Sequence, residues 1–193
     1  RADESALTSV FDLVTMVVEA LCGLHLLTHE GIPVFAFGHE FGALMAFEIC
    51  RRVQADFPVK GMFVSGMTCP QMAHKREKMS TLCQTSPDGH ILHAKNSEFE
   101  EAMLRRGSVP PDLRENKDLM GIFTPLWFAD LSAVDSYEYL SGTALECPIY
   151  SFGGIHDGEQ DIGAWAMETS SDRSESMLYP GGGFYLLDPD NEV

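Results

Sequence analysis

The sequence predicts an α/β fold with one parallel sheet, and three observations lead to this prediction. Apolar runs at residues 32–37, 59–66 and 148–154 have the length and composition of buried parallel strands. Patterns typical of helices precede and follow the first run, over residues 8–26 and 43–52. Because a crossover helix connects parallel neighbours, this alternation indicates right-handed βαβ units in one sheet.

The remaining elements follow from the same kinds of pattern. Thr8 or Ser9 is a suitable cap for the first helix. The apolar stripe of this helix consists of Val10, Leu13, Val14, Val17, Leu21 and Leu24. Later in the chain, helices are predicted over residues 97–105, 113–128 and 162–168, and a fourth strand over residues 176–180.

The composition is that of one acidic domain. With 193 residues and 45% hydrophobic content the chain can bury one sizeable core, so residues 1–193 are predicted to form a single domain. Thirteen basic and twenty-nine acidic residues give a net charge of −16, which argues against nucleic acid or an anionic membrane as the main partner. No apolar run has the length of a transmembrane segment and no signal peptide is visible. We therefore expect a soluble protein.

The cysteines indicate a reducing compartment, either the cytosol or an organelle stroma. They are odd in number and scattered, and none forms a Cys-x-x-Cys motif. We expect them to be buried free thiols: Cys22, Cys50, Cys69, Cys83 and Cys147.

Residues 69–122 differ from the rest of the chain and are predicted to be a helical lid inserted into the domain. This stretch is polar and is interrupted by several prolines and glycines. Two histidine pairs have short spacings, His25 with His29 and His90 with His93. Because no third ligand accompanies either pair, we expect surface histidines and predict no metal and no cofactor.

Residues 37–42 read Phe-Gly-His-Glu-Phe-Gly and connect the first predicted strand to a helix. This layout resembles the nucleophile elbow of α/β-hydrolases, in which the middle residue is normally serine. Gly38 and Gly42 are expected to permit a turn too tight for side chains, so that Glu40 stands above the sheet. Asp157 and Gly183 follow later strands, and the carboxyl ends of parallel strands form the edge where α/β proteins place their chemistry.

Five stretches, in order over nearly the whole chain, resemble type II thioesterases, the stand-alone editing thioesterases of polyketide and nonribosomal peptide synthesis. Residues 37–48 match the family's elbow and the helix after it, Phe-Gly-His-Ser-Met-Gly-Ala-Leu-Leu-Ala-Phe-Glu. The chief difference is Glu40 in place of the serine. Residues 65–66 match Ser-Gly, and residues 126–130 resemble Leu-Arg-Ala-Asp-Phe. Residues 152–157 match Phe-Gly-Gly-x-x-Asp, and residues 180–186 match Pro-Gly-Gly-His-Phe-Phe-Leu without its histidine.

The resemblance implies an α/β-hydrolase fold with a degenerate catalytic triad. It assigns Glu40 to the nucleophile position, Asp157 to the acid position and Gly183 to the base position. It also assigns the backbone N–H of Phe41 to the oxyanion hole. Two of the three working groups are then missing, because thioester hydrolysis needs a hydroxyl or thiol nucleophile and an imidazole base.

The resemblance further implies core strands that precede the region matched by Arg1, and these strands are absent from the sequence. Without them the strand near residues 33–37 would have an open apolar edge, which is prone to aggregate. We expect either an upstream segment or a partner to cover that edge, and we favour the upstream segment.

Three functional interpretations follow. The first is an inactive thioesterase-like subunit that docks on protein partners in a larger assembly or holds an acyl or pantetheine group, with the Glu40 carboxylate beside the helix amides where an oxyanion would lie. The second is an active acyl-thioester hydrolase that uses Glu40 with Asp157 or His156, while His39 has no catalytic role. The third is a remnant without a selected role.

Overall fold

The fold is a parallel four-stranded sheet with helices packed against it, as expected. The computed structural model describes residues 7, 9–27, 32–75, 97–105, 109–157 and 161–187. The strands pair in the order β1-β2-β3-β4, every neighbouring pair is parallel, and β1 lies at one edge. Their bounds are β1 Val34–His39, β2 Val59–Ser65, β3 Ile149–Gly154 and β4 Glu175–Tyr179.

Five α-helices and three 3₁₀ helices are described. The α-helices are α1 Val10–Gly23, α2 Phe41–Val53, α3 Ser97–Arg105, α4 Pro111–Arg114 and α5 Lys117–Ser136. The 3₁₀ helices are Pro70–Lys75, Ile162–Glu168 and Tyr185–Leu187. The helix predicted over residues 162–168 is therefore present, but as a 3₁₀ helix.

The helix predicted over residues 113–128 was wrong in extent. The short helix α4 ends at Arg114, and Asn116 caps α5, since its side chain accepts a hydrogen bond from the Leu119 amide at 3.1 Å. The helix α5 then continues eight residues past the predicted end, to Ser136, with Pro125 in its interior. Ala133 and Val134, near its C-terminus, are buried in the main core, and this packing stabilises the added turns.

The helix α1 is shorter than predicted, and its apolar stripe is buried only in its first half. Ser9 is the cap, accepting from the Asp12 amide at 3.4 Å, while Thr8 lies outside the described residues. Val10, Leu13 and Val14 are buried in the main core, whereas Leu24 lies beyond the helix and is 68% exposed.

The main core lies between the sheet and the helices α1 and α2. Trp165 is its largest fully buried side chain, and its indole N–H donates to the Met67 carbonyl at 2.7 Å. The ring of Trp165 meets Phe47 of α2 edge-on, with centroids 5.7 Å apart. This packing fixes α2, whose first residue directly follows Glu40.

Two buried carboxylates tie the chain after α5 to the core. Glu48 on α2 accepts a hydrogen bond from the Tyr137 hydroxyl at 2.6 Å. Glu168 accepts from the Tyr139 hydroxyl at 2.9 Å and from the Cys69 thiol at 3.1 Å. These charge-assisted bonds satisfy carboxylates that would otherwise be costly to bury.

The cysteine prediction is confirmed for three residues and wrong for one. Cys50, Cys69 and Cys147 are buried free thiols, and Cys83 lies outside the described residues. Cys22 is exposed because it lies on the solvent side of the last turn of α1.

The buried thiols should make the protein sensitive to alkali. Burial raises the pKa of Cys50 and, with help from Glu168, of Cys69, from 9.0 to about 12 in each case. A raised folded-state pKa contributes stability that is complete below pH 9 and is lost as pH rises towards 12, by at most about 1.4 kcal/mol per pH unit for each thiol. Urea unfolding between pH 8 and 11 should show this fall. Cys50→Ala should make this fall less steep, because only Cys69 of the pair then contributes, whereas Cys22→Ala should leave it unchanged. An unchanged slope in Cys50→Ala would contradict the assignment.

Candidate active site at the elbow

The turn between β1 and α2 has the strained backbone of a nucleophile elbow. Glu40 has φ 49° and ψ −121°, a conformation that L-residues seldom adopt. Its amide donates to the Ser65 carbonyl at 2.8 Å, which fixes the turn to the end of β2. A Cβ atom on Gly38 would lie 2.1 Å from the Gly42 carbonyl oxygen, so glycine is required at position 38.

The prediction that Gly42 also needs to be glycine was wrong. A Cβ atom built on Gly42 meets no described heavy atom within 4 Å. Gly42 is the second residue of α2. The position that a Cβ atom would take there faces open space. The close approach in the turn is therefore one-sided: the backbone at Gly42 excludes a side chain at Gly38, but not the reverse.

The structure brings together the three residues that the resemblance assigns to a triad. Asp157 lies in the turn after β3, and the buried Gly183 lies in the loop after β4. A Cβ atom on Gly183 would be 3.3 Å from Asp157 Oδ1 and 3.6 Å from Glu40 Oε1. A side chain at position 183 would thus stand between the two carboxylates, where a general base would have to lie to serve the elbow residue.

The loop that carries Gly183 packs closely on the loop that carries Asp157. The His156 amide donates to the Gly181 carbonyl at 2.9 Å. A Cβ atom on Gly154 would lie 2.4 Å from the Gly182 carbonyl oxygen, so a side chain there would separate the loops. Backbone contacts therefore hold Asp157 and Gly183 near one another.

The Glu40 side chain lies at the amino end of α2 without capping it. Glu40 occupies the N-cap position of α2, and its carboxylate makes no capping hydrogen bond to the helix amides. Its Oε1 atom is near the position that a side chain at Gly183 would take. The replacement of an oxyanion by this carboxylate stays a prediction. Phe41 is the first residue of α2, and its amide as an oxyanion donor stays a prediction.

A hydrogen-bonded group beneath the elbow was missed by sequence reasoning. His39 Nδ1 is 2.8 Å from Ser65 Oγ, and Ser65 Oγ is 2.6 Å from the Tyr185 hydroxyl. Burial lowers the pKa of His39 and raises the pKa of Tyr185, so both stay neutral near pH 7. The signal lay in strand pairing, since β1 and β2 place His39 opposite Ser65, and pairing register is not visible in a single sequence.

The other histidine candidates have simpler surroundings. His156, considered above as a substitute base, is exposed, as is His25, which lies in the turn after α1. His29, His90 and His93 lie outside the described residues. Across the described part of the chain no group of three or more His, Cys, Asp or Glu side chains could hold a metal ion.

A parallel sheet, a strained strand-to-helix elbow and an acidic turn after a later strand together define the α/β-hydrolase class. Within this class the chain belongs to the thioesterase domain family, whose model matches residues 1–193, and its relatives place it among the type II thioesterases of that family.

Three relatives illustrate the similarity. Gramicidin S biosynthesis protein GrsT of Aneurinibacillus migulanus is 30% identical, over 100% of this chain and 70% of its own length. The structure of YbtT, a type II thioesterase from the yersiniabactin NRPS/PKS pathway, is 28% identical with a TM-score of 0.70, covering 93% of this chain and 68% of YbtT. ClbQ, from the colibactin NRPS/PKS pathway, is 25% identical with a TM-score of 0.77, covering 96% of this chain and 74% of ClbQ. The chain thus spans about two thirds to three quarters of these relatives.

Among the helices that the structure describes, none is both long enough and apolar enough to cross a bilayer.

Proposed function

We propose that this protein has a thioesterase fold but does not hydrolyse thioesters, and that it serves as a binding or structural subunit of a larger assembly. It would dock on a protein partner, or hold an acyl or pantetheine group without cleaving it. The observation that carries the proposal is Gly183, because the position that faces both Glu40 and Asp157 has no side chain to accept a proton.

The chemistry explains why this one position is decisive. Attack of the Glu40 carboxylate on a thioester carbonyl would expel the thiolate and leave an acyl anhydride on the protein. Water must then attack that anhydride and lose a proton, and an imidazole base normally accelerates this step. Glycine at position 183 provides no such base, so neither step is accelerated from this position.

The names of the relatives support the proposed kind of assembly. GrsT is named for gramicidin S biosynthesis, and YbtT and ClbQ come from NRPS/PKS pathways. The partner of this chain is accordingly proposed to be a large acyl-carrying synthase. The predicted lid, residues 69–122, would cover the retained acyl site, and α3 and α4 lie within this segment.

A second candidate is an active acyl-thioester hydrolase that uses Glu40 with Asp157 or His156. The proximity of two carboxylates favours it, since Glu40 Oε1 and Asp157 Oδ1 both border the position of a side chain at Gly183. One carboxylate would then attack while the other activates water. The exposed His156 ring is the weaker choice for this base.

Thiol release from acyl-pantetheine and acyl-CoA thioesters distinguishes the two candidates. The natural protein and the Glu40→Gln variant should both remain at the uncatalysed rate, while an amide analogue of acyl-pantetheine should bind both. The second candidate requires turnover by the natural protein and a loss of about 100-fold or more in Glu40→Gln. Glu175→Gln, at an exposed carboxylate on β4, is the matched control.

A further inference from the structure

Tyr185 is a buried tyrosine, two residues after Gly183, to which the proposed function gives no role. It is 1% exposed and begins the 3₁₀ helix Tyr185–Leu187. Its ring stacks on Tyr179 of β4, with centroids 5.7 Å apart and planes 10° apart. The stack accounts for the burial of the ring but not for the placement of its hydroxyl.

The Tyr185 hydroxyl begins a chain of polar contacts that ends beside Glu40. It lies 2.6 Å from Ser65 Oγ, and Ser65 Oγ lies 2.8 Å from His39 Nδ1. Ser65 is the last residue of β2 and His39 the last residue of β1. Three side chains thus connect the loop after β4 to the floor of the elbow, and their burial makes an unpaired hydroxyl there costly.

The loop that carries Gly183 is also held by backbone hydrogen bonds. The His156 amide, in the loop that carries Asp157, donates to the Gly181 carbonyl at 2.9 Å. Within the Gly183 loop, the Tyr185 amide donates to the Gly182 carbonyl at 3.0 Å and the Leu187 amide to the Phe184 carbonyl at 2.8 Å. A side chain at position 183 would reach both Glu40 and Asp157. With glycine at that position, such a side-chain tie is missing.

We propose that Tyr185 is a positioning residue that supplies this missing tie: through Ser65 and His39 it holds position 183 against Glu40 and Asp157. The inference rests on the proposed function to the extent that it takes the base position as unfilled. It predicts that the Tyr185 hydroxyl and a side chain at position 183 can each hold this loop at the elbow. The loss of the hydroxyl should therefore matter less when a side chain is present at position 183.

Hydrogen exchange of the amides of residues 183–187 tests this redundancy. Tyr185→Phe keeps the ring stack and removes only the hydroxyl, and it should accelerate exchange of these amides about tenfold, since one net hydrogen bond is worth about 1 kcal/mol or slightly more. In the Gly183→His background the same substitution should accelerate exchange by less than about threefold. The amides of β2 serve as the internal reference and should not change.

Two further variants sharpen the result. Ser65→Ala should accelerate exchange as much as Tyr185→Phe does. The double variant should show no greater acceleration than either single variant. Tyr179→Phe removes a hydroxyl from the stacking partner and should leave exchange unchanged. Equal acceleration in both backgrounds, or acceleration that extends equally to β2, would overturn the proposal and make Tyr185 an ordinary core residue.

The two proposals fail separately. Thioester turnover by the natural protein would refute the proposed function without altering the exchange comparison. If Tyr185→Phe accelerated exchange equally in the Gly183 and Gly183→His backgrounds, the positioning role would be refuted. The proposed absence of thioester turnover would not be affected.

Discussion

Substituting Glu40→Ser and Gly183→His together is expected to make the protein an acyl-thioester hydrolase, at least about 10³-fold faster than the natural chain. The scaffold for the three groups already exists, because the Cβ position of Gly183 is 3.3 Å from Asp157 Oδ1 and 3.6 Å from Glu40 Oε1. Replacing the longer Glu40 side chain by serine frees space for an imidazole. The contact with Asp157 is tight, but it involves the end of a side chain, which can shift by a few tenths of an ångström.

The single substitutions are the controls for this expectation. Nucleophile and base act as one unit, so Glu40→Ser alone and Gly183→His alone should each stay near the background rate. Release of free thiol from acyl-pantetheine reports all four proteins under identical conditions. A double variant that folds, as judged by circular dichroism, and yet shows no turnover would mean that the elbow no longer has productive geometry.

The strands could be predicted from sequence because each contains a short apolar run, although β4 is largely exposed and β1 exposes Phe35 and Phe37. The predicted run at residues 32–37 and the observed β1, Val34–His39, differ by two residues at each end. Gly38 and His39 are strand residues only because they pair with Val64 and Ser65 of β2. Local composition cannot show a pairing made by a distant segment.

The extent of α5 shows a second limit of local reasoning. Gly121 and Pro125 both favour a helix end, and yet the helix continues from Lys117 to Ser136. Packing compensates for these residues: Phe128 is buried in a small cluster with Phe99, while Ala133 reaches the main core. Tertiary contacts of this kind outweigh propensities of about 1 kcal/mol for glycine.

The candidate site divides in the same way. Motifs in the sequence led us to expect that Glu40, Asp157 and Gly183 lie close together, but they showed neither the direction of the Glu40 side chain nor the Ser65–Tyr185 bond. Ser65 and Tyr185 are 120 residues apart in the chain, and their contact depends on the order of strands in the sheet. A sequence motif specifies residue types at a turn, whereas these contacts depend on the whole fold.

The elbow motif Gly-x-x-x-Gly is expected to be asymmetric, with opposite effects of alanine at its two glycines. Gly38→Ala places a methyl group within 2.1 Å of the Gly42 carbonyl oxygen, a backbone atom that cannot rotate away. The turn must open, and we expect a loss of about 3–5 kcal/mol in the free energy of unfolding, or failure to fold. Gly42→Ala meets no described heavy atom within 4 Å and lies within α2. It should therefore stabilise the protein by as much as about 1 kcal/mol, because alanine is the better helix former.

Urea unfolding of the natural protein and the two alanine variants measures this difference. Circular dichroism without denaturant shows whether each protein is folded. The two substitutions add the same methyl group four residues apart, so composition and hydrophobicity are matched. Equal destabilisation by both would mean that the elbow needs glycine at both positions, as the sequence motif alone suggests. Opposite signs would locate the steric requirement at Gly38, where the strand must pass beneath the backbone of the first turn of α2 for residue 40 to stand above the sheet.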